Sequence, residues 1–112
     1  MSTKADWTLL TEKIIAFRDE RDWKQFHNPK DLSIALSIEA SELQEVYLWK
    51  SSEEAQVEKV KEELADVFTY ALLIADHYKL DISEIVSAKL QRNAEKYPVE
   101  KSKGSSKKYD EL

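Results

Sequence analysis

Apolar residues recur at helical spacing along the first half of the chain. From about residue 6 to 21, every third or fourth position is apolar, which predicts an amphipathic helix. A second helical pattern begins at Pro29, a residue favoured in the first turn, directly after the capping residue Asn28. It continues to about residue 50. The sequence thus predicts two helices joined by a short connection.

The same periodicity continues through the second half. A third helix is predicted to start with the carboxylates that follow Ser52, since acids favour a helix N-terminus, and to reach about residue 78. Asp81 and Glu84 have the spacing of a capping box for a fourth helix, which has to end before Pro98. Four helices therefore account for most of the chain.

Turn-forming residues are scarce. The 112 residues include one glycine and two prolines, whereas sheet proteins with tight hairpins need more. We therefore expect an all-α protein, in the form of a four-helix bundle. The length suits a single core, so we predict one helical domain over residues 1–100. Residues 101–112 are serine- and lysine-rich without periodicity and are expected to form a flexible tail.

Charge and cysteine content limit the partners and the compartment. With 22 acidic and 17 basic residues, the net charge is −5, and this surface should repel nucleic acids. The absence of cysteine excludes disulfides and thiolate sites and suits a reducing compartment. Residues 1–6 lack the apolar core of a signal peptide, and no apolar run is long enough to span a membrane. These features predict a cytoplasmic protein without membrane contact.

Four acids interrupt the apolar faces of helices two and three. Glu39 and Glu42, three residues apart, lie in the middle of the apolar face of helix two. Glu63 and Asp66 have the same spacing and share a face with apolar residues of helix three. We call these four residues the acidic cluster. An isolated E-x-x-E spacing usually belongs to a solvated face, but two such pairs on consecutive apolar faces favour a metal site.

Burial of these acids has to be compensated. Moving one carboxylate out of water costs several kcal/mol, while a whole domain is stable by only about 5–15 kcal/mol. Protonation, nearby lysines or a divalent cation could each neutralise the acidic cluster. A site made only of carboxylates suits Mg²⁺, with Mn²⁺ as an alternative.

Two further groups of residues are candidates for ligand binding. Helix four carries amines, an amide and a phenol at helical spacing, which can hold phosphate or sugar oxygens or form an ordinary solvated face. These residues are Lys89, Asn93, Lys96 and Tyr97. Three aromatic residues beside helix ends can stack on a base or close the end of a bundle. They are Trp23, His27 and Trp49.

Several short motifs together resemble those of the MazG-like all-α nucleoside triphosphate pyrophosphohydrolases. They are Ile38–Leu43 (IEASEL), Glu63–Val67 (ELADV), and Lys89 with Asn93 and Lys96–Pro98 (KYP). The segments Arg21–His27 (RDWKQFH) and Gly104–Tyr109 (GSSKKY) are most similar to the small dCTP pyrophosphatase branch. Ile38 precedes Glu39 where the wider superfamily often has adjacent glutamates, which also favours that branch.

The resemblance implies an enzyme that cleaves a dNTP between its α- and β-phosphates, giving dNMP and pyrophosphate. It implies that Glu39, Glu42, Glu63 and Asp66 are Mg²⁺ ligands. It also implies that Lys89, Asn93, Lys96 and Tyr97 hold the phosphates and sugar, and that Trp23, His27 and Trp49 form the base pocket. Members of this family assemble as dimers or dimers of dimers, so a homodimer or homotetramer is expected.

The carboxylates suggest a mechanism of their own. Carboxylate-held Mg²⁺ would bridge phosphate oxygens, stabilise the leaving pyrophosphate and activate a bound water, whose proton an acid could accept. Glu42 is the candidate for that general base. We predict a house-cleaning enzyme that prefers dCTP or a modified dCTP.

Other interpretations remain open at this stage. An all-α dUTPase or a broad-specificity NTP pyrophosphohydrolase would share these residues and differ in base choice. A di-iron bundle would need E-x-x-H motifs, which neither Glu39 nor Glu63 begins. A non-catalytic helical interaction module would be indifferent to Mg²⁺.

Overall fold

The computed structural model describes residues 6–112 and confirms the all-α prediction. Its helices are α1 (Asp6–Glu20), α2 (Pro29–Glu45), α3 (Val57–His77), α4 (Ile82–Lys96) and the short α5 (Val99–Ser102). Single 3₁₀ turns occur at Lys24–Phe26, Ser52–Glu54 and Tyr109–Glu111, and no strand occurs within the described range. None of the helices described there combines the length and apolar character needed to cross a membrane. Residues 1–5, which carry most of the predicted non-signal N-terminus, lie outside this range.

The predicted caps form at two helix starts. The Asn28 side chain accepts a hydrogen bond from the backbone N–H of Asp31 at 2.9 Å, with Pro29 in the first turn of α2. Asp81 accepts from the backbone N–H of Glu84 at 3.0 Å and starts α4. Local side-chain chemistry therefore sets these two boundaries.

The connection between α2 and α3 differs from the prediction. Helix α2 ends at Glu45 because the chain tightens into turns with i to i−3 hydrogen bonds and then reaches Trp49 at φ 62°. The capping box of Ser51 and Glu54 closes its own 3₁₀ turn, so α3 begins only at Val57. The residues between Glu45 and Val57, predicted to extend the two helices toward each other, instead form the connection between them.

The chain forms two compact units, the first extending to Lys79 and the second from Leu80 to Leu112. In the first unit, α3 packs against α2 and α1. Its core consists of Leu32, Val46, Leu72, Leu73 and Ala75, and Leu72 is only 2% exposed. Trp7 stacks on Phe68 with ring centroids 5.8 Å apart. This core fixes the α2–α3 pair that carries the acidic cluster.

The second unit contains α4, α5 and the C-terminal segment. After Gly104, whose φ of 79° suits a residue without a side chain, the chain returns to the end of α4. Tyr109 lies edge-on to Tyr97 at 6.2 Å, and Lys96 Nζ lies 4.9 Å from the Tyr109 ring centroid. The short helix α5 was not predicted, because four residues are too few to show a helical period. The domain boundary at residue 100 and the mobility of the tail stay predictions.

Candidate functional site

The α2–α3 pair brings three carboxylates together. Glu39 of α2 and Glu63 and Asp66 of α3 each offer one oxygen, and these oxygens lie within 4.8 Å of one another. The i, i+3 spacing of Glu63 and Asp66 puts them on adjacent turns of the face that packs on α2. We call Glu39, Glu63 and Asp66 the carboxylate triad.

Glu42 lies beside the triad and couples to it. Burial raises the pKa of Glu39 to about 7, with smaller contributions from a hydrogen bond to Glu42 and from the charges of the other three acids. The pKa of Glu63 is also raised, first by burial and then by its contact with Glu42. With its pKa raised to about 7, the Glu39 carboxyl is partly protonated near neutral pH when no cation is bound.

The acidic cluster lacks the partners that such groups normally have. Oε2 of Glu39 and Oε2 of Glu63 are buried without a hydrogen-bond partner. Within residues 6–112, the ion pairs that form do not include any of its four acids. Two orphaned carboxylate oxygens and an all-oxygen donor set match a hard divalent cation. No histidine belongs to the triad, so it does not resemble a di-iron centre.

Tyr70 is a neighbour of this site that the sequence analysis did not single out. Burial raises the pKa of its phenol, and the charges of Glu39, Asp66 and Glu42 raise it further. Its position four residues after Asp66, on the same face of α3, was the available signal. The phenol is a neutral hydrogen-bond donor close to the acids.

Trp23 and His27 flank the 3₁₀ turn that follows α1. The backbone N–H of Trp23 donates to the Arg18 carbonyl at 3.1 Å, and its ring lies edge-on to Phe17 with centroids 5.8 Å apart. The Trp23 ring remains exposed. His27 is half-buried, and burial, followed by the charge of Arg18, lowers its pKa. The imidazole is therefore neutral at pH 7.

Trp49 has an unusual environment. Its side chain is 93% exposed and its φ of 62° lies in the left-handed region, where a bulky residue is strained. It borders an open groove with a volume of about 620 Å³. The groove is lined by Ser41, Gln44, Glu45, Tyr47, Leu48 and Trp49. An indole held this way is available to a ligand or a partner.

The candidate residues of α4 lie in the second unit. Lys89 and Lys96 are exposed, and Asn93 and Tyr97 are half-buried at the end of the helix. The Tyr97 N–H donates to the Asn93 carbonyl at 2.8 Å. Tyr109 joins Lys96 and Tyr97, a contact that the sequence pattern did not indicate. Their role in binding phosphate and sugar stays a prediction.

Comparison with known proteins identifies the family that the chain is similar to. The model of the MazG-like family matches residues 34–112. The chain is 38% identical to dCTP pyrophosphatase 1 of Bos taurus over 104 residues, covering 86% of this chain and 62% of that protein. The corresponding human protein is 36% identical, with 86% and 61% covered. The chain thus spans about three fifths of the length of these relatives.

A solved structure gives a similar result over nearly its full length. The crystal structure of a pyrophosphatase from Archaeoglobus fulgidus superimposes with a TM-score of 0.80 at 34% sequence identity. The match covers 88% of this chain and 97% of the other. The helical architecture is therefore that of a known pyrophosphatase structure.

Proposed function

The chain belongs to the MazG-like family, and we propose that it is a Mg²⁺-dependent nucleoside triphosphate pyrophosphohydrolase that prefers dCTP. The observation that carries the proposal is the carboxylate triad with its orphaned oxygens on Glu39 and Glu63. The names of its relatives, dCTP pyrophosphatase 1 and a pyrophosphatase, support the reaction and the base.

Glu39, Glu63 and Asp66 would hold the cation. Bound there, Mg²⁺ would supply positive charge to phosphate oxygens and lower the pKa of a water. Glu42 interacts with Glu39 and Glu63 without belonging to the triad, which supports it as the acid that would accept the proton of the attacking water. Tyr70 would add a neutral phenol beside the same acids, whose charges raise its pKa after burial does.

The other candidate residues would bind the rest of the nucleotide. Lys89 and Lys96 would offset phosphate charge, while Asn93 and Tyr97 would hold phosphate or sugar oxygens. The exposed ring of Trp23, the neutral imidazole of His27 and the exposed Trp49 would contact the base. These assignments follow the family motifs residue by residue.

Exposed apolar residues support self-association. On α2 and α3, large apolar side chains are about half exposed, more than a stable monomer usually leaves uncovered. They include Ile34, Ile38, Leu64 and Phe68. We propose a homodimer or homotetramer.

The test incubates the protein with each dNTP, dUTP and 5-methyl-dCTP, in Mg²⁺ or in EDTA, and separates the products by ion-exchange chromatography. We expect Mg²⁺-dependent formation of dCMP and pyrophosphate. dUTP as the best substrate would make the chain a dUTPase. Nucleoside diphosphate with orthophosphate would show that a different bond is cleaved.

A pair of variants links activity to the triad. Glu63→Gln keeps the shape of the side chain and removes a ligand charge, so turnover should be lost while helicity by circular dichroism is retained. Glu58→Gln makes the same change at an exposed position of α3, where Glu58 pairs with Lys61 at 3.1 Å. It should keep full activity. Full activity of Glu63→Gln would end the proposal, and no turnover of any nucleotide by the unmodified protein would favour the interaction module.

A further inference from the structure

Tyr109 lies against two of the candidate phosphate- and sugar-binding residues at the end of α4. The centroid of its ring is 4.9 Å from Lys96 Nζ, which is within the range of a cation–π interaction. The same ring lies edge-on to Tyr97, with the two centroids 6.2 Å apart and the planes at 82°. One aromatic ring from the C-terminal segment therefore contacts both neighbouring candidates.

Local hydrogen bonds carry the chain from the end of α4 to Tyr109. The backbone N–H of Ser102 donates to the Pro98 carbonyl at 2.9 Å, and the N–H of Ser105 donates to the Ser102 carbonyl at 3.0 Å. The backbone N–H of Lys107 then donates to the Ser105 hydroxyl at 3.2 Å. The segment thus has internal structure of its own, which places the Tyr109 ring back on α4 within the same compact unit.

The contact with Tyr109 leaves the charge of Lys96 unneutralised. No carboxylate within residues 6–112 forms an ion pair with Lys96. An aromatic ring attracts an ammonium through its quadrupole and carries no net charge of its own. A carboxylate partner would also hold the lysine, but it would cancel the charge that a phosphate needs. Lys96 is an exposed side chain, and such a chain loses rotamer freedom when it binds an anion. The ring therefore restricts the ammonium in advance and leaves its positive charge available.

We propose that Tyr109 is a positioning residue for Lys96 and holds its ammonium where it meets a phosphate group of the nucleotide. The inference rests on the proposed function, in which Lys96 and Tyr97 bind the triphosphate and sugar, and it assigns a role to a residue outside that set. Tyr109 acts through the lysine and does not touch the phosphate itself. Its removal should therefore weaken anion binding only while the lysine is present.

Isothermal titration calorimetry with inorganic pyrophosphate in Mg²⁺ buffer tests the inference on the full chain. Tyr109→Leu removes the ring and should bind pyrophosphate about fivefold more weakly, a factor that corresponds to about 1 kcal/mol. Tyr109→Phe keeps the ring and should bind nearly as tightly as the unmodified protein. The control, Tyr78→Leu, removes a tyrosine of similar exposure that lies edge-on to His77, and it should change nothing.

A double-mutant cycle distinguishes positioning of the lysine from a general structural role. In Lys96→Met, which keeps the length of the side chain without its charge, the addition of Tyr109→Leu should cause no further loss of affinity. If Tyr109→Leu does not fold, Tyr109→Gln takes its place, since it also lacks the ring.

Several results would overturn the inference. One is that the variant without the ring binds pyrophosphate as tightly as the unmodified protein, and another is that it loses affinity equally with and without Lys96. A loss in Tyr109→Phe as large as that in Tyr109→Leu would have the same meaning, because the ring would then not be the group that matters. So would failure of the unmodified protein to bind pyrophosphate.

Hydrolysis of dCTP measured in parallel separates this inference from the proposed function. Tyr109→Leu should raise KM about fivefold and leave kcat nearly unchanged, as expected when an interaction made equally in the ground state and the transition state is weakened. If pyrophosphate binding depends on Tyr109 only when Lys96 is present but no nucleoside triphosphate is hydrolysed, the proposed reaction is wrong and the inference stands. If dCTP is hydrolysed and Tyr109→Leu leaves its KM unchanged, the inference is wrong and the reaction stands.

Discussion

Replacing Glu39 by glutamine should have opposite effects on stability with and without Mg²⁺. In EDTA at pH 8, the variant should melt at a higher temperature than the unmodified protein. The reason is that a carboxylate whose pKa is raised to about 7 is replaced by a neutral group in the same half-buried site. With Mg²⁺, the variant should lose most of the stabilisation that the cation provides, since one of the three triad oxygens no longer carries charge.

The size of the Mg²⁺ effect follows from binding linkage. At a concentration about 100 times the Kd, a cation that binds only the folded chain stabilises it by about 2.7 kcal/mol. For a chain of this size, that corresponds to a rise in Tm of about 10 °C. If Glu39→Gln weakens binding about 100-fold, the same Mg²⁺ concentration stabilises it by only about 0.4 kcal/mol, or about 2 °C.

Differential scanning calorimetry over a Mg²⁺ titration measures both quantities. Glu58→Gln is the matched control, an exposed acid on α3 whose replacement should leave the Mg²⁺ shift intact. The reasoning would be refuted if the Tm of the unmodified protein were the same in EDTA and in saturating Mg²⁺. It would equally be refuted if Glu39→Gln retained the full shift.

Three further outcomes are expected. First, the metal-free protein should lose stability as pH rises from about 5 to 8. The raised pKa of Glu39 means that folding favours its protonated form. This contribution to the free energy of unfolding is complete below the ordinary pKa of 4.5 and is lost as pH rises through about 7. Urea unfolding in EDTA at several pH values measures it. Second, Asp81→Ala should cost about 1 kcal/mol in urea unfolding, because it removes the cap of α4. Third, Trp49→Gly should stabilise the chain by about 1 kcal/mol, since glycine tolerates the positive φ and the exposed indole contributes little packing. The same variant should weaken nucleotide binding.

Each of these outcomes can fail in a distinct way. The free energy of unfolding of the metal-free protein could stay constant between pH 5 and 8, or could fall with pH equally in Glu39→Gln. Either result would mean that the pKa of Glu39 is not raised by folding. Asp110→Ala, which changes an acid in the C-terminal 3₁₀ turn, is the comparison for Asp81→Ala. If both variants lose the same free energy of unfolding, the cap does not stabilise the chain. Trp49→Gly with unchanged nucleotide affinity would leave the strained backbone without a binding role.

The helices and the acidic cluster were accessible from the sequence because both depend on local periodicity. Glu39 and Glu63 interrupt apolar faces in a pattern that 100° steps along a helix reveal. The end of α2 at Glu45 could not be predicted, because the backbone tightens there into turns with i to i−3 hydrogen bonds that the sequence pattern does not mark. The contact between Tyr109 and Lys96 could not be predicted either, because the segment that joins them has no hydrophobic periodicity.

The acidic cluster belongs entirely to the helical hairpin of α2 and α3, and this has a consequence for folding. Contacts between helices that follow one another in the chain have a low contact order and a modest loop-closure cost, so this hairpin is expected to form early. Its closure brings like charges together before the rest of the core has formed. Protonation or a divalent cation therefore assists the folding reaction itself, in addition to stabilising its product. The chain should refold most readily in mildly acidic buffer or in the presence of Mg²⁺, and most slowly in EDTA at alkaline pH.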